Sequence, residues 1–216
     1  MRDGVAEAVL LDYSGTIFDD RDVLTAAGLI AEAAQRGVPL DVASAASVIA
    51  TTMRYARAPE RSDRAGSDLS GEAHRSIWTP LIAQAGPYEP PLVNAIYATM
   101  IASESWRPYP DALPVVQELV ARGVPVGVLS NIAWDIRPSL ARAGLLELLH
   151  TVVLSYEVGY EKPDPALFTL ACERMGHAPG DVLYVGDDPA RDGPAVRIGM
   201  PVYLLPDARD VRRARG

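Results

Sequence analysis

Four short clusters in this chain place carboxylates, hydroxyls, amides and one ammonium beside apolar runs, a mixture suited to gripping an oxyanion. Asp12 follows the apolar stretch Val5–Leu11 and leads into Ser14, Gly15 and Thr16. Ser130 and Asn131 close the run Val124–Leu129, and Asp187 and Asp188 follow Val182–Val185 across Gly186, with Asp192 shortly after. Lys162 stands between Glu161 and Pro163-Asp164 and is the only lysine among 20 basic residues. A compact ammonium on a thin stem enters sites that a planar guanidinium cannot, so its survival in a chain otherwise built on arginine points to a tight phosphate or carboxylate site. An aspartate after a strand is by itself an ordinary turn or cap residue. The joint placement of Asp12, Ser130 and Asp187 is what makes a site.

That placement depends on the elements around the clusters. Val5–Leu11, Val124–Leu129, Thr151–Leu154, Val182–Val185 and Val202–Leu205 read as five short buried strands. Helix-period stretches at Ala112–Arg122, Ile132–Ala143, Pro165–Met175 and Ala190–Ile198 supply the crossovers of a parallel sheet, and Gly123, Gly144, Gly176 and Gly199 stand where C-caps are expected. The fold class is therefore α/β, a doubly wound parallel sheet. Ligands in such sheets bind beyond the carboxyl ends of the strands, which is where the clusters fall. The first two strands are separated by far more chain than a crossover needs. Helical stretches near Val23–Arg36, Val42–Ala56, Gly71–Gly86 and Pro91–Glu104 fill the gap, with a polar loop over Arg57–Asp68. The expected organisation is a core of residues 1–20 and 107–216 interrupted by a helical cap over 21–106.

Composition narrows the partners. With 49% hydrophobic and 22% charged residues the chain is ordinary globular material. A net charge of −8 argues against nucleic acid or an anionic membrane and for a small molecule. One cysteine, Cys172, excludes an internal disulfide, and no apolar run reaches membrane-span length, so a cytoplasmic protein, monomer or homodimer, is expected.

Leu10-Leu11-Asp12-Tyr13-Ser14-Gly15-Thr16-Ile17, Val128-Leu129-Ser130-Asn131, Glu161-Lys162-Pro163-Asp164 and Val185-Gly186-Asp187-Asp188 through Asp192 resemble, in order and spacing, the four motifs of the haloacid dehalogenase-like (HAD) hydrolase superfamily. The insert after the first motif is similar to that of its helical-cap subclass. The resemblance implies a Rossmann-like core and phosphoryl transfer on a small phosphorylated metabolite, by a phosphatase or phosphotransferase with Asp12 as nucleophile. It implies phosphate contacts from Gly15, Thr16, Ser130, Asn131 and Lys162. It also implies a Mg2+ ion on Asp12, the Ser14 carbonyl and Asp187, with Asp188 and Asp192 behind them. The ion answers a physical need, because these aspartates would otherwise repel one another and an incoming dianion.

One position departs from the resemblance. Phosphatases of the superfamily carry an aspartate two residues after the nucleophile, as acid toward the leaving group, and here that place is Ser14. Haloacid dehalogenases also lack that aspartate but use no metal, and a domain that only binds phosphate or a partner is a further alternative. In the insert, Arg54, Arg57, Arg61 and Arg64 are placed to present a cation to an acidic substrate or, since Glu60 and Asp63 interleave with them, to form a solvated loop, and the loop is the reading the interleaving favours. Trp78, Trp106 and Trp134 read as core or hinge packing; His74, His150 and His177 show no ligand spacing.

Overall fold

Alternation along the strands determines how the sheet is covered. In the computed structural model, which describes residues 6–20, 23–58 and 64–206, the first strand is β1 (Ala8–Leu11), with every residue buried. Val9 and Leu11 enter one apolar cluster while Ala8 and Leu10 enter another, as period-2 side-chain direction requires. β4 (Val126–Ser130), β5 (Thr151–Leu154) and β6 (Val182–Gly186) divide in the same way, so both faces of the sheet are dry. With β7 (Val202–Leu204) the order is β5-β4-β1-β6-β7, parallel throughout. All five expected strands are present, β1 beginning at Ala8; Val5, and the basic tail from Arg209, lie outside the described residues.

Because β1 is central, the chain leaves it toward β4 on one side and later returns to β6 on the other. The crevice of a doubly wound sheet opens at that reversal, above the carboxyl end of β1. α5 (Ala112–Ala121) and α7 (Pro165–Met175) flank the sheet near the expected positions. Gly123, Gly144, Gly176 and Gly199 all have positive φ, as expected of C-terminal caps.

Two expected helices are shortened, and prolines give the reason. Ile132–Ala143 is helical only as α6 (Arg137–Arg142), since a start at Ile132 would put Pro138 in the interior, where it removes a hydrogen bond and clashes with the preceding turn. Ala190–Ile198 is a 3-10 helix over Gly193–Ile198, started by Pro194 in its first turn. A two-stranded antiparallel pair that the sequence does not announce, β2 (Phe18–Asp19) with β3 (Arg107–Pro108), ties together the two ends of the insert.

Between β2 and β3 run α1 (Ala26–Gln35), α2 (Val42–Ala56), α3 (Gly71–Ala85) and α4 (Pro90–Ile101). Thr25, Asp41 and Ser70 cap the first three through side-chain oxygens on backbone N–H groups. α1 packs on α2 and α4, and α3 on α2 and α4. Leu29, Ala45, Ile82 and Ile96 from these helices join the same apolar cluster as Val9 and Leu11 of the sheet. No helix among the described residues is long and apolar enough to cross a membrane.

Candidate active site

The end of β1 delivers Asp12 into the crevice with 6% of its surface exposed. Its Oδ1 accepts from the Tyr13 backbone N–H at 2.7 Å, and its Oδ2 lies 2.7 Å from Lys162 Nζ. Lys162, 4% exposed, also donates to Asp192 Oδ1 at 2.7 Å and to the Tyr184 hydroxyl at 2.9 Å. An ammonium has three N–H donors, and three acceptors surround this one. A flat guanidinium fork could not satisfy acceptors arranged around a point, which explains why this basic residue is a lysine.

Asp192 is fully buried and shapes the loop after β6, its Oδ2 accepting from the backbone N–H groups of Asp187 and Asp188 at 2.9 Å each. That closure requires Gly186, where an added Cβ would come within 2.2 Å of Asp192 Oδ2. Gly15, at φ +73°, is likewise obligatory: a Cβ there would sit 2.3 Å from Asp187 Oδ2. Asp187 therefore presses against the turn after Asp12. The Thr16 hydroxyl donates to its Oδ1 over a long 3.4 Å.

Charge in this cluster is unevenly compensated. Carboxylate oxygens of Asp12, Asp187 and Asp192 approach within 4.8 Å of one another around a single ammonium. Burial, with the charges of Asp12 and Asp192 added, pushes the Asp187 carboxyl up to about 7. Burial also lifts Asp12, to about 6, against the downward pull of Lys162. For Asp192 burial acts upward too, but Lys162, the Asp188 N–H and the Tyr184 hydroxyl together outweigh it and hold the carboxyl below its ordinary value. The ammonium stays charged because the two carboxylates override its own burial. An oxygen-only cluster with more acid than base is the donor set a hard divalent cation takes.

Ser130, at the end of β4, is 1% exposed, and its hydroxyl has no hydrogen-bond partner among the described residues. A buried orphan hydroxyl costs about 1–3 kcal/mol unless something fills its valence, so its place in the cavity wall suits a bound oxyanion. Asn131 holds the lysine loop by two bonds, its Oδ1 accepting from Lys162 N at 2.7 Å and its Nδ2 donating to Lys162 O at 3.0 Å.

The residues converge on a cavity of about 300 Å3. Asp12, Ser14, Ser130, Asn131, Lys162, Asp187 and Asp188 line its sheet side. Gly15, Thr16 and Asp192 are absent from the lining and stand behind it, the Gly15 N–H being spent on the Phe18 carbonyl at 2.8 Å. The opposite wall comes from the inserted helices and corrects the reading of Arg57–Asp68 as a solvated loop. Arg57, Arg64 and Asp68 line the cavity, and Arg64 lies 4.3 Å over the ring of Trp78. Arg54 is exposed as expected; Glu60, Arg61 and Asp63 lie outside the described residues. Trp78, Trp106 and Trp134 do pack together with the core, yet they also face the cavity, as does His74. His74 is buried, bonds the Tyr97 hydroxyl at 3.0 Å, and is pushed down to about 4 by burial and then by Arg64. Tyr184 was invisible to spacing arguments; its one signal was a hydroxyl inside an apolar strand.

The chain matches the haloacid dehalogenase-like hydrolase family over residues 6–197. It is 40% identical over 82 residues to a glyceraldehyde 3-phosphate phosphatase of Methanopyrus kandleri, covering 38% of this chain and 35% of that protein. To haloacid dehalogenase-like hydrolase domain-containing protein 3 of Danio rerio it is 32% identical over 137 residues, 59% and 57% of the two chains. These alignments span between about a third and somewhat over half of those relatives' length. In fold it is similar to the magnesium-bound HAD-hydrolase YfnB of Bacillus subtilis, with TM-score 0.67 at 17% identity, over 93% of this chain and 87% of that one. With its four motifs assembled on one sheet edge and matched across almost the whole described chain, the protein belongs to the haloacid dehalogenase-like hydrolase family.

Proposed function

We propose that the protein is a magnesium-dependent phosphomonoester phosphatase or phosphotransferase acting on a small phosphorylated metabolite. Asp12 is its nucleophile, residues 1–20 and 107–216 its core, and the helices within 21–106 its cap. The observation that carries this reading is the trio Asp12, Asp187 and Asp192, whose carboxylate oxygens lie within 4.8 Å of one another while one ammonium, Lys162, pairs with Asp12 and Asp192 alone. In a metal-free site this crowding is a liability; in a metal site Asp12 and Asp187 become oxygen donors. Asp12, the Ser14 carbonyl and Asp187 would hold Mg2+, with Asp188 and Asp192 supporting from behind. When bound, the ion would offset the carboxylate charge and polarise a phosphoryl oxygen.

The chain's own groups account for the rest. Asp12, ionised and needing no base, attacks phosphorus; the bond from phosphorus to the alcohol oxygen breaks, leaving an aspartyl-phosphate. Ser130 donates its free hydroxyl to a phosphoryl oxygen, with the backbone at Asn131 beside it. As Asp12 gives up its charge in forming the new bond, the Lys162 ammonium turns from that carboxylate to the phosphoryl oxygens. Water then cleaves the acyl phosphate and restores Asp12, or a second acceptor takes the phosphoryl group. Serine is too weak an acid to protonate the departing alcohol, so Ser14 leaves that proton to water, the substrate or another cavity group.

Ser14 also favours a second reading, displacement of halide from a 2-haloacid by Asp12, since that chemistry needs no acid. The test is turnover of para-nitrophenyl phosphate, a panel of phosphorylated metabolites and 2-haloacids by purified protein, with magnesium and with chelator. Phosphate release that requires magnesium and disappears in Asp12→Asn is expected. Metal-independent halide release would transfer the assignment to dehalogenation, and no turnover of either class would leave a binding domain.

A further inference from the structure

We propose that Asp68, reaching the cavity from the inserted segment, is the general base that activates the water hydrolysing the aspartyl-phosphate; this rests on the phosphoryl reading of the same cavity. In phosphoryl transfer the attacking and leaving oxygens lie roughly in line through phosphorus. Once phosphorus is bonded to Asp12, water must approach from the far side, along the path by which the alcohol left. Asp12 stands on the sheet wall, so that path leads toward the wall built by the insert. Among the described residues that wall carries Arg57, Arg64, His74 and Asp68. The two guanidinium groups have no acceptor for a proton. His74 is a poor base, since its Nδ1 is engaged with the Tyr97 hydroxyl at 3.0 Å and burial, then Arg64, pushes it down to about 4. Asp20 also lines the cavity, but it follows β2 at the junction with the core, and its charge acts on Asp187. Asp68 remains, a carboxylate with its side chain 13% exposed.

The turn that carries it, Ser67–Leu69, is held at three places, each beside one of the site's motifs. The Gly66 N–H donates to Glu161 Oε1 at 2.5 Å, next to Lys162. The Ser155 hydroxyl donates to the Asp68 carbonyl at 2.6 Å and accepts at 2.9 Å from the N–H of Ile132, the residue after Asn131. Asp68 Oδ2 lies 3.8 Å from Arg191 Nη1, and Arg191 Nε lies 3.7 Å from Asp188 Oδ2. Both separations are longer than a hydrogen bond, so the shared guanidinium favours the ionised form that a base needs while leaving Asp68 Oδ2 able to take a proton. Burial lifts the Asp68 carboxyl above its ordinary value against the pull of Arg191, and a raised pKa makes a stronger base. Lys162 also acts on this carboxyl, which puts it within electrostatic reach of the ammonium that pairs with Asp12. As the water oxygen bonds to phosphorus, one of its protons passes to Asp68 and the bond from phosphorus to Asp12 breaks. Hydrogen phosphate and a free Asp12 carboxylate result, and Asp68 then gives its proton to solvent.

The test is rapid-quench turnover of para-nitrophenyl phosphate with magnesium by wild type, Asp68→Asn and Asp20→Asn, following nitrophenolate optically and protein-bound phosphate by mass spectrometry after acid quench. Nitrophenolate departs without a proton, so the first step needs no acid. In Asp68→Asn it should appear in a burst approaching one equivalent per chain, with phosphoprotein accumulating and the steady rate at least tenfold below wild type. A merely structural loss would slow the burst as well and leave no phosphoprotein. A steady rate less than tenfold below wild type in Asp68→Asn, a slow rate without phosphoprotein, or phosphoprotein accumulating in Asp20→Asn instead would overturn Asp68 as the base while leaving the phosphoryl site standing. Absence of both nitrophenolate and phosphoprotein in wild type would overturn both.

Discussion

Replacing Lys162 by methionine keeps the stem and removes the ammonium, and the structure says how much that should cost. At 2.7 Å each ion pair, to Asp12 Oδ2 and to Asp192 Oδ1, is worth about 6 kcal/mol of gross Coulomb energy at an effective dielectric near 20. Desolvation of three buried charges offsets most of this, and breaking a buried pair from one side costs about 3–5 kcal/mol net. With a slope of about 2 kcal/mol per molar urea, the unfolding midpoint at pH 7 without magnesium should fall by roughly 1.5–2.5 M. Lys162→Arg keeps the charge but must fit a fork among acceptors placed for an ammonium, so it too should lose stability and should bind vanadate at least tenfold more weakly. In Lys162→Met combined with Asp192→Asn, one stranded carboxylate is gone and about half of the loss should return. A Lys162→Met midpoint within 0.5 M of wild type, about 1 kcal/mol on the same slope, would refute the account of the buried triad. Wild-type vanadate affinity in Lys162→Arg would refute the account of why this residue is a lysine.

Asp187→Asn should abolish calorimetric magnesium uptake, yet stabilise the metal-free protein by about 1–3 kcal/mol at neutral pH, because it removes a half-buried charge that faces Asp12 and Asp192; unchanged uptake would show the ion is elsewhere. Ser14→Asp should accelerate hydrolysis of a phosphomonoester with a poor leaving group by about 10²- to 10⁴-fold, and of para-nitrophenyl phosphate by less, measured against Asp12→Asn as blank; no gain on either substrate would show that Ser14 does not replace a needed acid. His74 should make the fold acid-sensitive: the unfolded chain takes up its proton as pH falls through 6.5 and the folded chain only near 4, so stability is full above 6.5 and declines between those values. The decline should reach about 2 kcal/mol at pH 4.5, read as the extra loss of wild type relative to His74→Phe in urea melts at pH 7.5 and 4.5; equal losses would mean that the imidazole protonates freely in the fold.

The sheet and its clusters were legible because their signals are local. Five apolar runs each ending on a turn residue specify strands, and a carboxylate at the end of one and a hydroxyl at the end of another must meet if the strands are parallel. Asp12, Ser130 and Asp187 needed nothing more. Lys162 was legible for a different reason, its chemical singularity against 19 arginines. What it does was not legible, since three acceptors come from three separate segments and one of them, the Tyr184 hydroxyl, looks like strand filler. The two shortened helices show the limit of periodicity. Ile132 and Ile136 repeat at helical spacing and are both buried, but Pro138 moves the helix start beyond them, and burial is achieved by an irregular turn instead.

The helical side of the cavity was misread on a physical ground that applies beyond this chain. A stretch of alternating arginine and acid looks solvated because composition counts charges and cannot see which one has its acceptors nearby. Arg64 differs from Arg54 only in what surrounds it after folding: a carbonyl, an indole face and a second guanidinium, against open water. The same holds for the three tryptophans, assigned to packing because most tryptophans pack. They do so here, but an amphipathic ring can close a core on one face and wall a cavity on the other. The core chemistry of this protein is thus written in residue type at strand ends, where one dimension suffices. Which groups the inserted helices turn toward the cavity becomes readable only in three dimensions.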